Sequence, residues 1–219
     1  MTRVFLPGCK VKAKYPVASE RLAKAVIDRG YADEVLGCCR VEHQKLKPED
    51  TAVCICVNCM AMVDEDAANR ETVNVWQLID ADPDFPLPDH SGLTVSVQDC
   101  GRSYDRGDLH DAIRSLLAKM NVRVVEAPDA REKTTYCGAA GMKAIPEMDA
   151  GFAPQRYTQD APARGMFVPC DEDEIPARLK SHADEIPADD VVCYCTACHA
   201  GLEQGGKRAV NLIELVFGN

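Results

Sequence analysis

The chain has 219 residues, 46% of them hydrophobic but only 5% aromatic, with a formal charge of −10. Such a composition supplies a sizeable core of Val, Leu, Ile, Ala and Met. The acidic balance, with 25 Lys and Arg in no dense block, argues against nucleic acid as a partner. Twelve cysteines stand out, yet the N-terminal MTRVFLPGCK lacks the apolar stretch of a signal peptide and no run approaches a membrane span. A cytoplasmic location is therefore expected, where clustered cysteines point to metal or redox chemistry more often than to disulfides.

In chain order, Arg3 to Leu6 reads as a strand ending at Pro7-Gly8-Cys9, which puts Cys9 in a loop. Ser19 is expected to cap a helix from Glu20 to Arg29 on which Leu22, Val26 and Ile27 share a face, with Gly30 as its stop. Glu34 to Leu36 forms a short strand closed by Gly37-Cys38-Cys39. Neighbouring strand residues point to opposite faces, so this adjacent pair serves one site only if the backbone turns, as Gly37 allows. A polar loop, Arg40 to Asp50, leads to a strand from Thr51, a helix from Val57 to about Asp66, and a buried segment from Val73 to Ile79. Ala81 to Gly92 holds three prolines and no periodicity, and is the expected junction between a first half, 1–80, and a second, 93–219.

The second half repeats this order. Thr94 to Gln98 alternates as a strand and delivers Cys100 to a loop. A helix from about Asp105 to Met120 carries Leu109, Ile113, Leu116, Leu117 and Met120 at helical spacing, with Asn121 as terminator. Val122 to Val125 is a strand, and Tyr136-Cys137-Gly138 is the counterpart of Cys38-Cys39. An insertion at about 139–189 follows, carrying Phe152, Tyr157, Met166, Phe167 and Cys170, then a helix near Ile175 to His182. It forms either a lid or partner surface, or a cover for the second half's core. Ala209 to Phe217 echoes the segment at Val73. The pattern implies an α/β fold of two pseudo-symmetric βαβ-type halves with metal sites at the strand-end loops.

The strongest signal is a repeat. Thr51 to Val63, TAVCICVNCMAMV, returns as DVVCYCTACHAGL from Asp190 to Leu202. Each copy runs from a β-branched strand into Cys-x-Cys-x-x-Cys and a helix, so Cys56 and Cys59, like Cys195 and Cys198, fall three apart on one helical face. Backbone amides at a helix start favour thiolates, which are soft metal ligands. Cys54 and Cys193 lie within the strands and read as core. His199 diverges from Cys198 by about 100° on the helix and should point away.

The order Cys9, Gly37-Cys38-Cys39, Cys56-x-x-Cys59 resembles the cysteine-rich CCG domain. That domain occurs in tandem in heterodisulfide reductase, and in iron–sulfur subunits of glycolate oxidase and anaerobic glycerol-3-phosphate dehydrogenases. Cys100, Tyr136-Cys137-Gly138 and Cys195-x-x-Cys198 look like a second copy with Tyr136 in place of one cysteine. The resemblance implies a noncubane [4Fe–4S] cluster on Cys9, Cys38, Cys39, Cys56 and Cys59. The second set departs from that pattern: Cys100, Cys137, Cys195 and Cys198 either hold a second iron–sulfur cluster or zinc, as four thiolates suit, or form a degenerate site, with Cys170 replacing the thiolate missing at Tyr136 or standing as a spare loop cysteine. Tyr136 itself either donates a hydrogen bond to a cluster sulfur or packs. By the same resemblance the chain is an oxidoreductase, or a subunit of one, that exchanges electrons with a flavin or iron–sulfur partner subunit and acts on a small thiol or disulfide substrate. Zinc has no use for a fifth thiolate, which favours iron in the first set. No G-x-G-x-x-G fingerprint is present, so hydride chemistry would belong to another subunit. Two rival readings are a zinc-stabilised scaffold and a metal-free thiol–disulfide oxidoreductase at Cys56-x-x-Cys59.

Overall fold

The computed structural model describes residues 2–66, 71–142 and 155–218. Phe152 and part of the insertion lie outside the described residues. The first half runs β1 (Arg3–Leu6), α1 (Cys9–Lys14), α2 (Pro16–Asp28), β2 (Glu34–Val35), α3 (Cys39–Glu42), β3 (Thr51–Cys54), α4 (Val57–Asp66), β4 (Glu71–Asn74) and α5 (Val75–Ala81). The second runs β5 (Thr94–Gln98), α6 (Gly107–Lys119), β6 (Arg123–Val124), α7 (Ala161–Ala163), α8 (Ile175–Glu185), β7 (Asp190–Cys193), α9 (Thr196–Gln204), β8 (Arg208–Asn211) and α10 (Leu212–Phe217). No helix among the described residues is long and apolar enough to cross a membrane.

Each half builds a four-stranded, all-parallel sheet in the same order, β2-β1-β3-β4 and β6-β5-β7-β8. The chain is thus an α/β protein of two pseudo-symmetric halves. Parallel strands covered on both faces must be apolar throughout, and β3 is buried at all four positions. Alternation then divides its neighbours. Phe5 and Val53 enter the large core, while Val4, Leu6, Ala52 and Cys54 enter a smaller one on the other face. Cys54 pairs in register with Asn74, and Cys193 with Asn211, so the repeat extends to matching rungs of the two ladders.

Those two asparagines explain a departure from the sequence reading. Val73 to Ile79 is not one buried segment, because β4 turns straight into α5 at Asn74. The Asn74 side chain accepts from Trp76 N at 3.2 Å, while Gln77 accepts from Asn74 N at 3.0 Å. Asn211 does the same with Ile213 and Glu214. Such a capping box satisfies the first free amides of each helix, so no loop is needed.

The two halves share the large core. Helix α5 of the first packs on α6 of the second, and α10 of the second packs on α2 of the first. One cluster therefore runs through Leu22, Val26, Trp76, Ile79, Leu109, Ile113, Leu116 and Ile213. Several smaller expectations change as well. Helix α2 begins at Pro16, a favoured first-turn residue, so Ser19 is buried inside it and caps nothing. Ile27 is 40% exposed, so only Leu22 and Val26 face the core. Cys9 is the first residue of α1 and not a loop residue. The helix stops at Gly30 (φ 69°) and Asn121 (φ 59°) are where the left-handed conformation was expected.

Candidate metal and redox site

Three chain segments bring the first cysteine set together. After β1 the chain passes Gly8, whose φ of 70° suits glycine and where a Cβ would press Ile55 Cγ2 at 3.0 Å. This tight entry starts α1 at Cys9. Cys38 is extended (φ −134°, ψ 109°) and Cys39 is already helical, and that change of conformation turns two adjacent thiols toward one place. From β3 the chain delivers Cys56 just before α4 and Cys59 within its first turn. Cys9 Sγ lies 3.5 Å from Cys38 Sγ, and Gly8 N donates to Cys39 Sγ at 3.1 Å. Cys39 is also hydrogen-bonded to Cys59 and Cys9, and Cys59 to Cys56. All five line one cavity of about 640 Å³, together with Cys195 of the other half.

Charge alternates among these sulfurs. Cys39 is brought down to about 7, chiefly by the hydrogen bond from Cys59 and also by the Gly8 amide, against burial. Cys56 is lowered by Cys59 and by the amides of Asn58 and Cys59, and Cys38 by the Val41 amide and Cys9. Conversely, burial and donation to Cys38 raise Cys9, while donation to Cys39 and Cys56 raises Cys59. The neighbours thus favour the anionic form at three sulfurs and the thiol at two.

Glu42 fixes the turn that carries Cys38 and Cys39, its carboxylate accepting from Gly37 N at 2.5 Å and Cys38 N at 3.0 Å. Lys45 first, then these amides, hold its carboxyl down at about 2 against an ordinary 4.5. A depressed folded value contributes stability above the unfolded value and loses it as pH falls through the folded one. Glu42→Gln should therefore melt earlier than the parent at pH 7, by a margin that shrinks between pH 4.5 and 2 in thermal melts.

In the second set, the Sγ atoms of Cys100, Cys195 and Cys198 all lie within 4.8 Å of one another. Cys137 is hydrogen-bonded to Cys100, which is raised by donating to Cys137, Cys195 and Cys198. Cys195 falls well below the ordinary thiol value through Cys100 and Cys198, and Cys137 falls through Cys100 and the nearby Arg102 guanidinium. The loop bearing Cys100 is anchored from below. Tyr194 Oη accepts from Cys100 N at 3.1 Å and meets Ser103 Oγ at 2.8 Å and Asp99 at 3.2 Å, and Asp99 is clamped by Arg114. Gly138 (φ 60°) sets the Cys137 turn directly against Ala197, between the two cysteines of the second CxxC.

Four sequence expectations are met by the structure here. Tyr136 packs: its ring stacks on His182 at 3.8 Å and its hydroxyl has no partner among the described residues. Cys170 does not join the three sulfurs that lie within 4.8 Å of one another; it is half-exposed, and its amide donates to Met142 O at 3.0 Å. Cys170→Ala is accordingly expected to leave metal content and visible spectrum unchanged, read by elemental analysis of the purified protein. His199 does turn away, toward Lys14 Nζ at 2.5 Å and Glu203 at 3.1 Å. Cys54 and Cys193 are fully buried core residues in their strands.

Sequence reasoning missed the cavity's other walls. Arg102, Tyr194 and Asn58 line it, as do Tyr157 and Phe167 from the insertion. The described part of the insertion reaches across to the first half, where Gln155 N and Arg156 N donate to Glu65 and Tyr157 donates to Asn58. It covers the cavity between the halves, packing Tyr157, Met166 and Phe167 against Ala61 and Cys137. Gly201 was also missed: any Cβ there would overlap the Tyr136 hydroxyl and lie 2.7 Å from Gly138 Cα, so α9 needs glycine to seat the Cys137 turn. Comparisons with protein-family models, curated proteins and solved structures return no match.

Proposed function

We propose that the chain is an iron–sulfur redox protein of the kind its CCG-like pattern implies, in which Cys9, Cys38, Cys39, Cys56 and Cys59 hold a noncubane [4Fe–4S] cluster. The observation that carries this reading is that all five thiols line one cavity, more soft ligands than a single zinc ion uses. When bound, the cluster would supply one-electron chemistry. The chain's own part is to hold charge on sulfur with the amides of Gly8, Val41 and Asn58, and to give a small thiol or disulfide a walled space beside it. Cys9 is exposed, so a flavin or iron–sulfur partner subunit would exchange electrons on that side. Cys195 faces the same cavity, which would bring a second centre to the same substrate.

That second centre, on Cys100, Cys137, Cys195 and Cys198, is an iron–sulfur cluster or zinc. One observation favours a single ion. Three sulfurs within 4.8 Å of one another approach the edge of about 3.8 Å that tetrahedral zinc–sulfur bonds would give. Oxygen-free purification with iron, sulfide and zinc analysis and one visible spectrum tests the proposal. Iron with sulfide and a broad visible absorption is the expected result. Zinc alone in a colourless protein would make it a scaffold, and no metal with a titratable Cys56–Cys59 dithiol would make it a thiol–disulfide oxidoreductase.

A further inference from the structure

The cavity's charge runs against that of the protein. Although Asp and Glu outnumber Lys and Arg by 35 to 25, no acidic side chain lines it among the described residues, whereas Lys10, Arg40 and Arg102 do. Lys10 and Arg40 are exposed at the rim, and Arg102 lies deeper. The guanidinium of Arg102 is held against two rings, 4.5 Å from the Tyr157 centroid and 5.5 Å from that of Phe167. Phe167 keeps this place at φ 52°, a conformation that a bulky residue holds only where its surroundings enforce it.

Arg164 is held by the Tyr104 ring and the Glu132 carbonyl oxygen, and two other sheltered arginines have acids. Arg114 pairs with Asp99 and Glu126, and Arg156 with Asp105. Arg102 has no carboxylate partner among the described residues; its Nε is buried without a hydrogen bond, and the sulfurs near it are those of Cys137 and Cys195, which are lowered, and of Cys100, which is raised. A guanidinium offers five donors in a flat fork that matches a carboxylate, and it holds that geometry better when stacked on aromatic rings. Val11, Val57, Met62 and Ala140 supply apolar wall, beside the polar Asn58 and Thr196, in a cavity of about 640 Å³ that the ligand would share with the proposed cluster.

We propose that Arg102, Tyr157 and Phe167 form a carboxylate-binding cage, so that the ligand of this cavity is a small organic acid with an apolar body, its carboxylate on Arg102. This deepens the proposed function: it rests on that reading for the ligand's being a thiol or disulfide, but not for its being an acid. The insertion, found only in the second half, would then serve specificity, because it supplies both rings of the cage.

The test is calorimetric titration of the oxygen-free protein with hexanoate, and with neutral hexanamide of the same shape. The cage predicts that hexanoate binds about tenfold tighter or better, the scale of a charge-assisted hydrogen-bond pair. In Arg102→Gln the preference should fall to about twofold or less, and in Arg102→Lys, which keeps the charge but loses the fork, it should fall between the two. Circular dichroism confirms folding of each variant, and the comparison of the two probes on the parent protein decides the matter even if a variant does not fold. Equal binding of the two probes by the parent overturns the proposal. So does an Arg102→Gln protein that keeps the preference and loses only metal, since the side chain would then serve the sulfurs alone. Iron measured on the same samples separates the two claims. A carboxylate preference in iron-free protein would leave the cage standing and remove the iron–sulfur reading, and iron without the preference would do the reverse.

Discussion

Cys39→Ser is expected to strip the first centre of its iron while leaving the protein folded, with the visible absorption falling in step. Cys39 is the hub of its set. It is 1% exposed, accepts the Gly8 amide, and is hydrogen-bonded to both Cys59 and Cys9. It is also drawn down to about 7, so it reaches the anionic form that iron needs at neutral pH. Serine has nearly the same shape, but its hydroxyl is a hard, neutral ligand and a poor substitute for a soft thiolate. Cys54→Ser is the control, because Cys54 is equally buried nearby but belongs to the core and has its pKa raised by burial. It should lose stability and keep iron. Iron unchanged in Cys39→Ser, or lost equally in both, would count against the assignment.

Gly138→Ala should be the most destabilising single-methyl change in the second half. Two effects add at that position. The backbone sits at φ 60°, which costs a non-glycine residue about 1 kcal/mol, and the added Cβ would overlap the Ala197 carbonyl oxygen. The overlapped atom is backbone, held between Cys195 and Cys198, so nothing can swing aside. The loss expected is more than about 2 kcal/mol, read as a lower urea midpoint, with a drop in metal bound by the second set. Gly165→Ala is the comparison, since its φ of 76° carries the same backbone strain but no atom lies within 4 Å of the added carbon. Should the two variants unfold at the same urea concentration, the close seating of the Cys137 turn on α9 would be wrong.

How much of this was legible in the sequence depended on whether a feature was local or tertiary. The strands were readable because parallel strands covered on both faces leave short β-branched runs such as Thr51 to Cys54. Helix α6 was readable from five apolar residues at helical spacing, all of them now buried. The two cysteine sets were found because each is tied to strand ends, and a parallel sheet brings its strand ends together whatever the side chains. The capping boxes at Asn74 and Asn211 were written in the sequence as Asn-x-x-Gln and Asn-x-x-Glu, but each follows a strand with no break in hydrophobicity, so strand and helix read as one segment. Ser19 was misread because Pro16 already starts the helix a turn earlier.

The rest could not be read locally. Arg102 follows Cys100 and Gly101 in what reads as an exposed loop, and nothing adjacent to it announces that Tyr157 and Phe167 will fold over it. The insertion's reach to Glu65 and Asn58 is a contact over about ninety residues, invisible to any local pattern. Cys170, read from the motif either as a replacement ligand or as a spare loop cysteine, stands outside the group of three close sulfurs, with its backbone tied to Met142.

The most direct test of the central claim is the iron and sulfide content of the Cys137→Ser/Cys198→Ser protein, purified without oxygen and shown to be folded. This double variant disables the second set and leaves Cys9, Cys38, Cys39, Cys56 and Cys59 intact around their cavity. The account predicts that about four iron and four sulfide per chain remain. A folded protein with less than about one iron per chain, or with zinc in its place, would contradict it.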